Sequence, residues 1–299
     1  MFKLFNFKQK KIDKLFEEAD EFSEQGLDDE AIEKYKEVLK IEPYDSSCYY
    51  NIGLIYKYRN DWLNSFKYNE IAYEIDPASE GARWNLGIAA TALRDWDMAR
   101  RIWHDAGIEI EEGEGPIDDY FGTNPVRLNP DDEAEVVWAE RLDPARAKII
   151  SVPLPESGYG AGDIVLNDGA PMGYRMLGDS ERAVFNVLEL FEASLLNTYR
   201  ADIKVSSDED IVLLEKMFAE KDIPCEDWTT QYRLICKACS EGRPHEHHDN
   251  ETVNKFVAEH EIALAAEYED EIKTILNNWE NGISRVVLDL NCIYSRNES

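Results

Sequence analysis

The chain of 299 residues is short of positive charge, of cysteine and of long apolar runs, and each shortage closes off a class of function. Against 62 Asp and Glu stand 32 Lys and Arg, a net charge of −30. A surface of that sign repels nucleic acid and anionic lipid, so neither is expected as a partner. The cysteines number five, with two of them spaced C-x-x-C. That count suits a reducing compartment better than a disulfide framework. No segment approaches the roughly 20 apolar residues of a membrane span. The opening MFKLFNFKQKK lacks both an apolar run of signal-peptide length and a small-residue cleavage site. A cytoplasmic protein is expected. Nucleophile elbow, phosphate-binding Walker loop and kinase motifs are all missing, so no enzyme is expected.

What remains is enough for two ordinary domains, with 43% hydrophobic and 11% aromatic residues to build their cores. The acid is unevenly spread. Residues 1–113 hold 15 basic and 24 acidic groups, whereas residues 114–299 hold 17 and 38. Such a coat either keeps the chain solvated or matches a basic protein partner.

The first part repeats itself. Without gaps, segments of 34 residues begin at 12 (IDKLFEEAD…), 46 (SSCYYNIGL…) and 80 (EGARWNLGI…). The eighth position is always small (Ala19, Gly53, Gly87), as is the twentieth (Ala31, Ser65, Ala99), where two helices must cross closely. Pro43 and Pro77 close the first two segments, since proline cannot continue a helix. This period and pattern resemble the tetratricopeptide repeat family, a stack of helical hairpins. The third segment departs with Ala90 eleventh and Glu111 in place of the proline, so its last helix is expected to run on or fray. The second has Asn69 in the twenty-fourth place, where the others have Tyr35 and Trp103.

The resemblance places the fifth position of each repeat on the concave groove, and here it holds Phe16, Tyr50 and Trp84. Asp20, Leu54 and Ile88 continue that face, with Lys57 and Tyr58 beside them. These eight residues are the candidate partner-binding set. Relatives that clamp a chaperone's C-terminal carboxylate carry Lys, Asn and Arg on these sites, so aromatics here argue against that ligand. The rings either form a free groove or are covered by the chain's own N-terminal segment or C-terminal domain.

From 114 the composition changes. Pro116, Pro125 and Pro130 with clustered Asp read as a connector over 114–135. An acidic α+β domain is expected over 136–299. Its first portion is β-rich, with AKIISVPL and DIVLN as clear apolar runs. The glycines of GYGAGD lead into a strand instead of a helix, so a strand-to-strand turn explains them better than a phosphate cradle. Beyond 197, strand, helix and strand patterns occur twice in succession, with Ile211, Leu214 and Phe218 on one helix face. That succession implies a ferredoxin-like α/β sandwich.

Between the two units, in the loop 236–249, lie Cys236, Cys239, His245, His247 and His248. Two thiolates and two imidazoles suit a tetrahedral structural zinc ion, with Cys225 able to replace a histidine. A polar loop with a reduced cysteine pair explains the same residues. Glu246 is the only candidate base beside them. His104 and His260 each read as an isolated core or surface histidine.

The expected fold class is therefore α+β: an all-α repeat array, a β-rich segment and a ferredoxin-like sandwich. The expected function is a non-enzymatic protein–protein interaction adaptor using the groove and the acidic domain. One alternative is an immunity or inhibitor protein that neutralises a basic toxin such as a nuclease. Another is a metal-dependent enzyme centred on the Cys/His loop.

Overall fold

The computed structural model describes residues 2–177, 179–229, 256–282 and 284–296, with side chains from residue 8 onward. The chain divides into two units, Met1–Asp119 and Tyr120–Ser299.

The N-terminal unit is built of helical hairpins: α1 (Phe2–Glu24) with α2 (Asp28–Leu39), α3 (Ser46–Tyr58) with α4 (Trp62–Ile75), and α5 (Glu80–Ala92) with α6 (Trp96–Asp105). The starts of α3, α4, α5 and α6 are set by side-chain caps. Asp45, Asp61, Ser79 and Asp95 accept from the backbone N–H of Cys48, Asn64, Ala82 and Met98, satisfying donors that the helix itself leaves open. The turn inside each hairpin is repeated as well. Gly26, Asn60 and Arg94, each the fifteenth residue of its repeat, adopt left-handed φ values of 71°, 54° and 61°. The residue after each donates five positions back: Leu27 to Phe22, Asp61 to Tyr56 and Asp95 to Ala90.

The small eighth residues are where the hairpins close. A Cβ on Gly87 would lie 2.5 Å from the Trp103 ring, and one on Gly53 would lie 2.4 Å from the Asn69 amide. Asn69 is fully buried and donates to the Ser65 carbonyl at 2.8 Å. Polar Asn thus fills the place of an aromatic by bonding within its own helix.

The last helix does not run on. It stops at Asp105 because Gly107 turns left-handed at φ 79° and Ile108 donates back to Trp103 at 3.0 Å. The chain then folds along α6. The Arg100 guanidinium donates to the carbonyls of Glu111, Gly115 and Pro116 at 3.3, 2.7 and 3.2 Å.

The C-terminal unit begins with a closed barrel: β1 (Thr123–Leu128), β2 (Glu135–Arg141), β3 (Arg146–Ile149), β4 (Ile164–Leu177) and β5 (Ser180–Glu192). Neighbours pair antiparallel, and β1 closes the ring by pairing parallel to β5 at Val126 and Arg127. Val126, Leu128, Val137, Ala139, Ala147, Ile149, Val165 and Val187 fill it. Strand β1 lies inside 114–135, the stretch expected as a connector. Pro125 is tolerated because its partner Trp138 turns its backbone the other way, accepting from Ile150 and donating to Ser151.

The second sheet follows from β6 (Asn197–Lys204), α7 (Asp208–Ala219), β7 (Cys225–Asp227), β8 (Glu259–Ala266), α8 (Glu269–Glu280) and β9 (Val286–Tyr294). The strand order β7-β8-β6-β9, antiparallel throughout, is that of the ferredoxin-like sandwich. One sheet face, with Tyr199, Ala201, Ile203, Ile262 and Leu264, packs on Leu214 and Phe218 of α7 and on Ile272, Leu276 and Trp279 of α8. On the other face Ala263 and Ala265 meet Val152 and Ala161 from the barrel's β3–β4 loop.

The glycine-rich GYGAGD belongs to that loop. Gly158 and Gly162 adopt φ of 75° and 82°. Buried Asp163 accepts from Gly160 and Ser194 N–H, each at 2.8 Å, and pairs with Arg296. A Cβ on Gly160 would stand 3.0 Å from that guanidinium. The glycines thus make the turn and leave room for the arginine that ties the sheet's last strand to the barrel.

Candidate functional site

Phe16, Tyr50 and Trp84 stand at matching places on α1, α3 and α5, and all three are half-buried. Each ring is held by a neighbour. The Phe16 ring meets Tyr35 edge-on at 5.8 Å between centroids, and Trp84 meets Trp103 at 5.1 Å and 59°. In both repeats the large twenty-fourth residue of the second helix supports the fifth residue of the first. Repeat two has short Asn69 there, and its Tyr50 instead lies over Gly81 of the next repeat, where an added Cβ would be 2.8 Å from the ring. The rings are therefore each packed against a neighbour in the array and remain partly exposed.

The other candidates separate by burial. Asp20 is exposed, and its Oδ1 accepts the Tyr35 hydroxyl at 2.6 Å. Burial, helped by that carboxylate, pushes the Tyr35 phenol well up and keeps it a donor. Leu54 is half-buried. Tyr58 is 60% exposed, and the Lys57 ammonium sits 4.4 Å from the centre of its ring. Lys57 and Ile88 are themselves buried, at 3% and 0% exposure, and offer no surface. Reading the groove by position alone overlooks how closely helices approach around α5, where every residue from Asn85 to Thr91 is buried. It also overlooks a tyrosine stack, Tyr56 on Tyr68 at 5.6 Å with Tyr49 at 6.3 Å. The early tyrosine at 68, beside the odd Asn69, was its only signal.

Cys236, Cys239, His245, His247 and His248 lie outside the described residues. Cys225 is described, and it packs against the sandwich core, where burial pushes its thiol well up. Among the described residues no group of His, Cys, Asp and Glu is arranged to hold a metal ion. His104 is exposed. His260 is buried between Asp227 Oδ2 and the Val257 carbonyl, each at 2.8 Å. Its contact with Asp227 ties β7 to β8.

A family model described as TPR repeat matches residues 19–57. The N-terminal unit carries tetratricopeptide repeats. Repeats of this kind stack into arrays whose concave side serves as a binding surface. Among solved structures, the first TPR of Spaghetti (RPAP3) bound to HSP90 peptide SRMEEVD is similar at 22% identity. It covers 32% of this chain and 76% of that one, with a TM-score of 0.31. The second TPR of the same protein, bound to the same peptide, is 19% identical and covers 34% and 91%, with a TM-score of 0.32. No curated protein matches the chain. Among the described residues no helix is long and apolar enough to cross a membrane.

Proposed function

We propose that the protein is a non-enzymatic adaptor in a reducing, cytoplasmic setting, whose repeat array holds a segment of another protein against Phe16, Tyr50 and Trp84. The observation that carries this reading is the recurrence of a half-buried, neighbour-supported ring at one position of each repeat. Pre-set aromatics that lose little freedom on binding make hot spots. Asp20, Leu54 and Tyr58 flank them. Once a partner has been captured from the native host at moderate salt, Trp84→Ala should weaken its binding by about 2 kcal/mol. Unchanged affinity would move the partner site off the groove.

The net charge of −30 supports a narrower version, an inhibitor of a basic protein such as a toxin nuclease. Electrostatic attraction of that kind acts mainly on the association rate, which should fall steeply as the screening length shortens to about 8 Å near physiological salt. An association rate indifferent to salt would remove that version and leave the groove. The loop of Cys236, Cys239, His245, His247 and His248 holds a structural zinc ion on this reading. Elemental analysis of protein purified without added metal should find about one zinc per chain.

A further inference from the structure

Strand β9 lies at the edge of the four-stranded sheet, paired along β6, and no other strand among the described residues lies beside it. Exposed edges are usually blunted by charged side chains (lysine above all), proline, bulges or shortness, because open N–H and C=O groups invite another strand. Here the edge is VVLDLNCIY, nine residues with neither lysine nor proline. Val286 and Leu288 on it are 42% and 54% exposed. The pairing skips a residue at Leu288, since Asp202 faces Asp289 while Ile203 faces Val287. A bulge of this kind re-aims a side chain. Leu288 borders a cleft of about 440 Å³ shared with Asp202, Thr229, Glu259 and Glu261.

The register adds charge to this apolar edge. Glu261 on β8 faces Asp202 on β6, which faces Asp289 on β9, so three carboxylates stand in one row across the sheet. Like charges directly opposite one another destabilise a sheet. Arg200, 3.3 Å from Asp202, offsets part of the row, while Lys204, 3.4 Å from Glu259, serves a different carboxylate. Asp289 is turned to its own strand, accepting from Leu290 N–H and the Asn291 amide. His260 also borders the cleft, but Asp227 and Val257 engage both its nitrogens. Among the described residues β9 thus has no strand on its outer side, and its apolar side chains run beside a row of excess negative charge.

We infer that β9 is a docking edge for an extended, basic segment of another protein, which adds as a further strand and sets Lys or Arg side chains beside the Asp289–Asp202–Glu261 row. Strand addition takes its affinity from main-chain hydrogen bonds and its selectivity from alternate side chains. A second copy of this chain does not fit. Two β9 edges joined about a two-fold axis would bring two acidic rows together on chains that each carry −30. The inference concerns the C-terminal unit and does not rest on the repeat groove.

The test uses the full chain at roughly 0.15 M salt. The probe is a fluorescein-labelled nonapeptide of alternating Lys and Val, and the control alternates Glu and Val. The Lys peptide should bind, and amide exchange over Val286–Tyr294 should slow by about tenfold or more in its presence. The paired reversals Glu261→Lys and Asp289→Lys, made together, should weaken it by about tenfold or more, and Leu288→Lys should weaken it as well. Trp84→Ala should leave it unaltered. Unchanged exchange over 286–294 at saturation, equal binding of the Glu peptide, or full binding by the doubly reversed chain would each overturn the inference. Loss of the Lys peptide on Trp84→Ala would overturn it too, by placing the peptide on the repeats, with the groove reading intact.

Discussion

The repeat array and the ferredoxin-like sandwich are both made by repeating a unit, but they differ in how far along the chain the touching parts lie. In the array each helix packs on its neighbours in sequence, and the same cap, left-handed turn and close crossing recur every 34 residues. In the sandwich β6 takes β8 on one side and β9 on the other, so each pairing of β6 joins strands that lie more than fifty residues apart and the sheet is complete only with the last strand. The difference bears on stability. An array is close to a sum of neighbouring terms, whereas a sheet with one shared core stands or falls together.

Removing the largest shared side chain should show this most strongly. Trp279 is fully buried on α8 and donates to the Asp210 carbonyl at 2.9 Å. Trp279→Ala should destabilise the sandwich by about 4 kcal/mol. Native-state hydrogen exchange should then show β6, β8 and β9 losing protection together. Loss confined to α8 would mean the sandwich is not one cooperative unit.

The matching defect in the array should stay local. Gly87→Leu drives a side chain into the Trp103 ring and should cost about 3 kcal/mol by urea unfolding. Protection should fall in α5 and α6 while the amides of α1 and α2 keep theirs. An equal fall in all the hairpins would erase the contrast between the two regions.

The smallest effect concerns the repeated turn. Arg94 holds φ 61°, which glycine adopts freely and arginine does not, so Arg94→Gly should raise stability by about 0.5 kcal/mol. Gly26→Ala, at φ 71° with nothing within 4 Å of the added carbon, should lower it by about 1 kcal/mol through the backbone alone. Changes of the opposite sign would show that contacts and not φ decide these turns.

The same contrast explains what could be read from the sequence. The array was legible because its structure is local: small residues at 19, 53 and 87 and prolines at 43 and 77 each mark a nearby event. The sandwich was legible as an order of elements, since Ile211, Leu214 and Phe218 carry the helical period and HEIALAAE matches β8. The barrel was not, because its closing partner for β1 is β5, some sixty residues on, and Pro125 disguised β1 as linker. Of the candidate site, the positions of the rings followed from the repeat. The burial of Lys57 and Ile88 did not, since it depends on how closely neighbouring helices approach. The acidic row across β8, β6 and β9 is invisible without register, its members lying far apart in sequence.

The central claim, that the array binds through its supported rings, is tested most directly by aromatic NMR of the full chain titrated with its captured partner. The ring signals of Phe16, Tyr50 and Trp84 should all shift and saturate at one common stoichiometry, while Trp279 in the sandwich core stays still. Unmoved ring signals at saturating partner would contradict the account.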